Sequence, residues 1–107
     1  MADDVTKQID DEIRNNKIMI YMKGNPTFPQ CGFSAATIEI FQEIGKPFHT
    51  VDVLSEPAKR DAIKRYSNWP TIPQIYIDGK FVGGCDIVRE MFTTGDLQKL
   101  VDHAFGN

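Results

Sequence analysis

Five apolar residues in a row, Ile18-Met19-Ile20-Tyr21-Met22, are followed by a turn-rich loop and then by a helical pattern opening at Cys31-Gly32-Phe33-Ser34. No other feature restricts the fold as strongly. An uninterrupted apolar run bounded by turn residues reads as a buried strand, here over residues 17–22. A helix that starts at the end of the loop puts a cysteine at a strand-to-helix junction. There, free backbone N–H groups and the helix dipole stabilise a thiolate. Three residues on, where a redox dithiol carries its second cysteine, stands Ser34. The junction therefore reads as an activated thiolate with no local resolving partner, which favours a ligand or single-thiol role.

The flanking pattern extends this unit. Val5, Ile9 and Ile13 recur at helical spacing with charges between them, predicting a short amphipathic helix that ends near Asn15-Asn16. The segment from Gly24 to Gln30, with its Gly, Asn and two Pro, is a loop. The helix from Gly32 or Phe33 runs to about Ile44, with Ile38, Phe41 and Ile44 on one face and Gly45 as its stop. Phe48 to Val53 is a second strand. Ser55 as N-cap and Pro57 in the first turn predict a helix to about Tyr66. Trp69-Pro70-Thr71-Ile72-Pro73 breaks it. Gln74 to Ile77 and Lys80 to Val82 are short strands joined by Asp78-Gly79, a strong hairpin signal. After Gly83-Gly84, Asp86 is expected to cap a helix carrying Ile87, Val88, Met91 and Phe92. Gly95 stops it, and Asp96 opens a last helix with Leu97, Leu100, Val101 and Phe105.

The order α-β-α-β-α-β-β-α-α combines a right-handed parallel βαβ unit with a ββα hairpin unit. It predicts an α/β, thioredoxin-like fold: a four-stranded mixed sheet with helices on both faces, in one domain over residues 1–107. Net charge is −3, so no nucleic-acid partner is expected, because phosphate affinity needs a basic face. No apolar run approaches the roughly 18 residues of a membrane span. The acidic start Met1-Ala2-Asp3-Asp4 lacks the basic region of a secretory signal. Two cysteines make no disulfide scaffold, and a cytoplasmic location is expected.

Four motifs stand in order at compatible spacings: Tyr21-Met22-Lys23-Gly24, Cys31-Gly32-Phe33-Ser34, Trp69-Pro70-Thr71-Ile72-Pro73-Gln74 and Gly83-Gly84-Cys85-Asp86. Over nearly its whole length the chain resembles a monothiol glutaredoxin of the CGFS type, in the short single-domain bacterial form. The resemblance implies that Cys31 is the reactive thiolate and iron ligand, with Gly32 and Phe33 acting mainly through backbone N–H groups. Lys23 and Arg60 would receive the glycine carboxylate of glutathione. Pro73 would be cis and expose the Ile72 backbone to the cysteinyl part, with Thr71 on the ligand side. The N–H groups of Cys85 and Asp86, approached closely across Gly84, would take the γ-glutamyl carboxylate, and the Asp86 side chain its amine.

Some residues keep open readings. Ser34 either donates to the sulfur or caps its helix. Cys85 is a small core filler, a resolving thiol for Cys31 or a cluster ligand. Lys59, Lys64, Arg65 and the cluster Asp10-Asp11-Glu12 read as solvated helix faces, and His49 and His103 as surface or strand histidines.

Two functions compete. In the first, the chain carries a [2Fe–2S] cluster bridging a homodimer, for transfer to apo iron–sulfur proteins and iron homeostasis. Four thiolates are needed; two Cys31 and two glutathione thiolates supply them. The family's habit of pairing with BolA-like proteins makes a heterodimer a further partner. In the second, Cys31 serves a glutathione-dependent thiol–disulfide oxidoreductase. Ser34 and the long Gly24–Gln30 connection favour the first.

Overall fold

The computed structural model describes residues 2–106; Met1 and Asn107, the ends of the expected domain, lie outside the described residues. Nine elements follow in chain order: α1 (Ala2–Asn15), β1 (Ile18–Met22), α2 (Gly32–Ile44), β2 (His49–Asp52), α3 (Pro57–Ser67), β3 (Gln74–Ile77), β4 (Lys80–Gly83), α4 (Cys85–Thr94) and α5 (Asp96–Ala104). They are the predicted elements in the predicted order, within a residue or two at their ends.

The strands form one mixed sheet in the order β2-β1-β3-β4. β1 pairs parallel with β2, Tyr21 opposite Val51, and antiparallel with β3, Ile20 opposite Ile75. β3 and β4 form the hairpin, turned by Asp78 at φ 53° and Gly79 at φ 79°. Those two positive φ values are what an Asp-Gly pair supplies at least steric cost.

All five residues of β1 are buried, because the strand has neighbours on both edges and helices on both faces. Its side chains alternate between two cores. Ile18, Ile20 and Met22 pack with Ile38 and Phe41 of α2, Val88 of α4 and Leu97 and Val101 of α5. Met19 and Tyr21 pack on the opposite side with Ile9 and Ile13 of α1 and Ala62 and Ile63 of α3. The fold is the expected thioredoxin-like α/β arrangement.

Two predicted caps are wrong in the same way. Ser55 is not the N-cap of α3: Glu56 is, and the Ser55 hydroxyl donates to the Asp52 carbonyl instead. Asp86 is not the N-cap of α4: that residue is Gly84, in extended backbone, and Asp86 sits in the first turn. In each case the backbone leaves the extended region one or two residues away from the side chain best suited to cap. The predicted apolar face of α4 is also only half covered. Val88 is fully buried, whereas Ile87 is 40% and Phe92 37% exposed.

Candidate functional site

β1 ends at Met22, and Lys23 follows just past the strand's C-terminal end. The chain then makes a tight excursion before α2. Gly24 takes φ 84°, its N–H donates to Asp52 Oδ1, and Asn25 Oδ1 accepts from the N–H groups of Thr27 and Phe28. The Gln30 N–H returns to the Lys23 carbonyl at 2.9 Å. The loop is thereby closed on itself, and it delivers Cys31 as the N-cap of α2 beside Lys23.

Cys31 has extended backbone, φ −154° and ψ 137°, and is neither exposed nor buried. The Ser34 backbone N–H is the main influence holding its pKa below that of an ordinary thiol. Partial burial opposes the shift, while the Phe33 N–H, the positive charge of Lys23 and the Ser34 hydroxyl reinforce it. Of the two readings of Ser34, the cap does not hold, since the N-cap of α2 is Cys31 and Ser34 lies in the first turn. Ser34 is fully buried, and its Oγ accepts from the Lys23 N–H at 3.1 Å. The hydroxyl thus fastens the end of β1 to the start of α2.

A groove of about 500 Å³ opens at Cys31. Lys23, Phe33, Arg60, Thr71, Ile72, Pro73, Gly84, Cys85 and Asp86 line it with Cys31, so the fold brings together every expected site residue except Gly32. Gly32 is exposed, and a Cβ there would meet nothing within 4 Å. Phe33 contributes more than its backbone: its ring is 58% exposed on the groove rim. The Ile72–Pro73 bond is cis. Across from it, Gly84 lets two backbones approach, since a Cβ at this position would lie 3.3 Å from the Pro73 carbonyl oxygen.

The groove also holds residues beyond the expected contacts. Lys64 is one turn beyond Arg60 on α3 and lines the groove, correcting its assignment to a solvated face. Trp69, Pro70 and Ile87 line it too. Among the described residues Trp69 Nε1 is buried with no hydrogen-bond partner, and Lys23, Arg60 and Lys64 take part in no ion pair. A wall with three cations outside any ion pair suits an anionic ligand. Helical spacing from Arg60 was the signal that could have found Lys64.

Cys85 is 5% exposed as the first residue of α4, and Arg89 Nη2 lies 3.6 Å from its sulfur. His49 is an exposed β2 residue and His103 is exposed on α5. No group of three or more His, Cys, Asp or Glu among the described residues could hold a metal ion, and none of their helices is long and apolar enough to cross a membrane.

The glutaredoxin family profile matches residues 18–82. A monothiol glutaredoxin of Synechocystis is 45% identical over 107 residues, covering 100% of both chains. The solution structure of reduced apo GrxS14 from poplar is similar with a TM-score of 0.84 and 41% identity, over 96% of this chain and 94% of that one. A buckwheat glutaredoxin solved as its glutathione complex reaches a TM-score of 0.87 over 97% and 93% of the two chains; at 21% identity this is a likeness of fold alone.

Proposed function

The chain belongs to the glutaredoxin family, among its monothiol members, and from that premise we propose that it binds glutathione in the Cys31 groove and, paired with a second copy, carries a [2Fe–2S] cluster to apo iron–sulfur proteins. The observation that carries this reading is Cys31 itself. It is a thiolate-favouring cysteine open to a groove of unpaired cations, and a buried serine stands where a resolving thiol would be.

The ligand arithmetic follows from the chain. A [2Fe–2S] cluster takes four thiolates, and this chain has two cysteines, of which Cys85 is buried. Two Cys31 thiolates, one from each copy, and two glutathione thiolates complete the set. The cluster then joins the copies, and its exposed, partly external ligands suit release to a client. A BolA-like protein in place of the second copy would give the heterodimeric form.

Within the groove, Lys23 and Arg60 receive the glycine carboxylate and Lys64 adds to the same positive field. The Ile72 backbone beside cis Pro73 pairs with the cysteinyl residue as an added strand, with Thr71 on the ligand side. The α4 N-terminus, at Gly84, Cys85 and Asp86, receives the γ-glutamyl carboxylate, where free N–H groups and the helix dipole favour an anion. The Asp86 carboxylate takes the γ-glutamyl ammonium. Phe33 and Gly32 shape the approach to the sulfur.

The alternative is a glutathione-dependent oxidoreductase, and the lowered Cys31 pKa is the observation on its side. Two features work against it. A mixed disulfide at Cys31 has no neighbouring thiol to displace glutathione, and the long Gly24–Gln30 loop, closed on itself between Lys23 and Cys31, would misplace the bound glutathione sulfur for attack by a second glutathione. Turnover in a glutathione-coupled disulfide assay is therefore expected to be barely above background. Ser34→Cys should raise it only in part, because the loop remains. Wild-type turnover matching a dithiol glutaredoxin assayed alongside would replace the carrier reading by the oxidoreductase one.

A further inference from the structure

Glu12 belongs to an acidic cluster that reads as solvated helix face, yet it is held from two sides. Its Oε1 accepts from the Tyr21 hydroxyl at 2.8 Å, and its Oε2 receives the Lys59 ammonium. The Glu12 and Lys59 side chains are only 21% and 13% exposed. Lys59 is completed by Glu56 at 3.2 Å. Tyr21 is fully buried, and its ring meets Tyr76 edge-on with centroids 6.0 Å apart. Neighbouring Asp10 is different: it pairs with Arg14, whose side chain is 73% exposed.

The two partners of Glu12 have instructive positions. Tyr21 is on β1, two residues before Lys23. Lys59 is on α3, immediately before Arg60. One carboxylate on α1 therefore ties together the two elements that carry the groove cations, without lining the groove itself. Burial pushes the Tyr21 phenol well up, with Glu12 adding to the shift, so the hydroxyl remains a donor to that carboxylate.

We propose that Glu12 is a positioning residue whose bonds to Tyr21 and Lys59 set the separation of Lys23 and Arg60, and so determine how well the groove recognises the C-terminal glycine carboxylate of glutathione. The inference rests on the glutathione reading above. Charge-assisted, partly desolvated hydrogen bonds are short and directional, so this pair of bonds fixes the first turn of α3 against the end of β1. A carboxylate held by two cations on different elements needs both within hydrogen-bonding reach, and binding falls steeply when one is displaced.

The test is a titration of the full chain with glutathione and, separately, with γ-glutamylcysteine, which lacks the glycine carboxylate, followed by the amide chemical shifts of groove residues. The wild type is expected to prefer glutathione. Glu12→Ala and Lys59→Met should each reduce that preference roughly fivefold, the scale of coupling between contacting residues, and leave γ-glutamylcysteine binding unchanged. Arg60→Ala should abolish the preference, and adding Glu12→Ala to it should change nothing more. A purely stabilising Glu12 would lower the thermal midpoint and leave the preference intact; that result in either folded variant overturns the proposal. If Glu12→Ala does not fold, Glu12→Gln, which keeps an oxygen for the Tyr21 hydroxyl, decides by the same ratio. A wild type that binds neither peptide would instead refute the glutathione reading.

Discussion

Replacing Cys31 by serine is expected to abolish both the mixed disulfide with glutathione and the reconstitution of a [2Fe–2S] cluster, with the thermal midpoint nearly unchanged. The residue is the N-cap of α2, half-open to the groove and outside both cores. Serine suits an N-cap, so the fold loses no packing and keeps its helix start. What disappears is the thiolate. In the wild type, alkylation of the native protein reports Cys31, because Cys85 is buried. Its rate should fall as pH drops through the Cys31 pKa, with a midpoint below the ordinary thiol value of about 8.5. The downward direction follows because the Ser34 and Phe33 N–H groups and Lys23 all favour the charged form. Cys85→Ser should keep most of the cluster. A Cys31→Ser protein that still acquires the cluster spectrum would remove Cys31 from the ligand set.

Gly24→Ala should have the next largest effect. Gly24 is buried at φ 84°, and a Cβ there would lie 2.5 Å from the Phe28 carbonyl oxygen and 2.7 Å from the Gln30 backbone nitrogen. Those are backbone atoms of the same closed loop, so the loop must move as a whole. Strain at a left-handed position together with the clash should cost on the order of 2 kcal/mol or more in a urea titration. It should also displace Cys31 from Lys23, raising the midpoint of alkylation. Gly32→Ala is the control: its Cβ meets nothing within 4 Å, and stability should change by no more than about 0.5 kcal/mol. Equal effects at the two glycines would mean that the loop does not hold Cys31 in place.

The fold was legible where the sequence pattern is periodic or the turn chemistry specific. The apolar run of β1, the Asp78-Gly79 turn and the stops at Gly45 and Gly95, with φ of 82° and 87°, each carry their own local cause. Caps were legible only as residue types: Ser55 and Asp86 are good capping side chains, but the backbone turns at Glu56 and Gly84. Most of the groove was legible as motifs, because their residues lie at the ends of β1, β3 and β4, and the crossovers collect those ends. Glu12 and Lys59 were misread for a physical reason. Their bond joins positions 47 apart in sequence, and no local spacing distinguishes them from the solvated charges beside them. Lys64 was missed for the opposite reason, since surface lysines are common and only its neighbour Arg60 marks its face.

The central claim is that one thiolate per chain and external glutathione share a cluster. It is tested most directly by isolating the protein without oxygen in the presence of glutathione and measuring iron, sulfide and glutathione per chain. The account predicts a brown dimer in which the three are equal, one of each per chain, as a cluster bridged by two Cys31 and two glutathione thiolates requires. Iron and sulfide bound in full with no glutathione retained would contradict it.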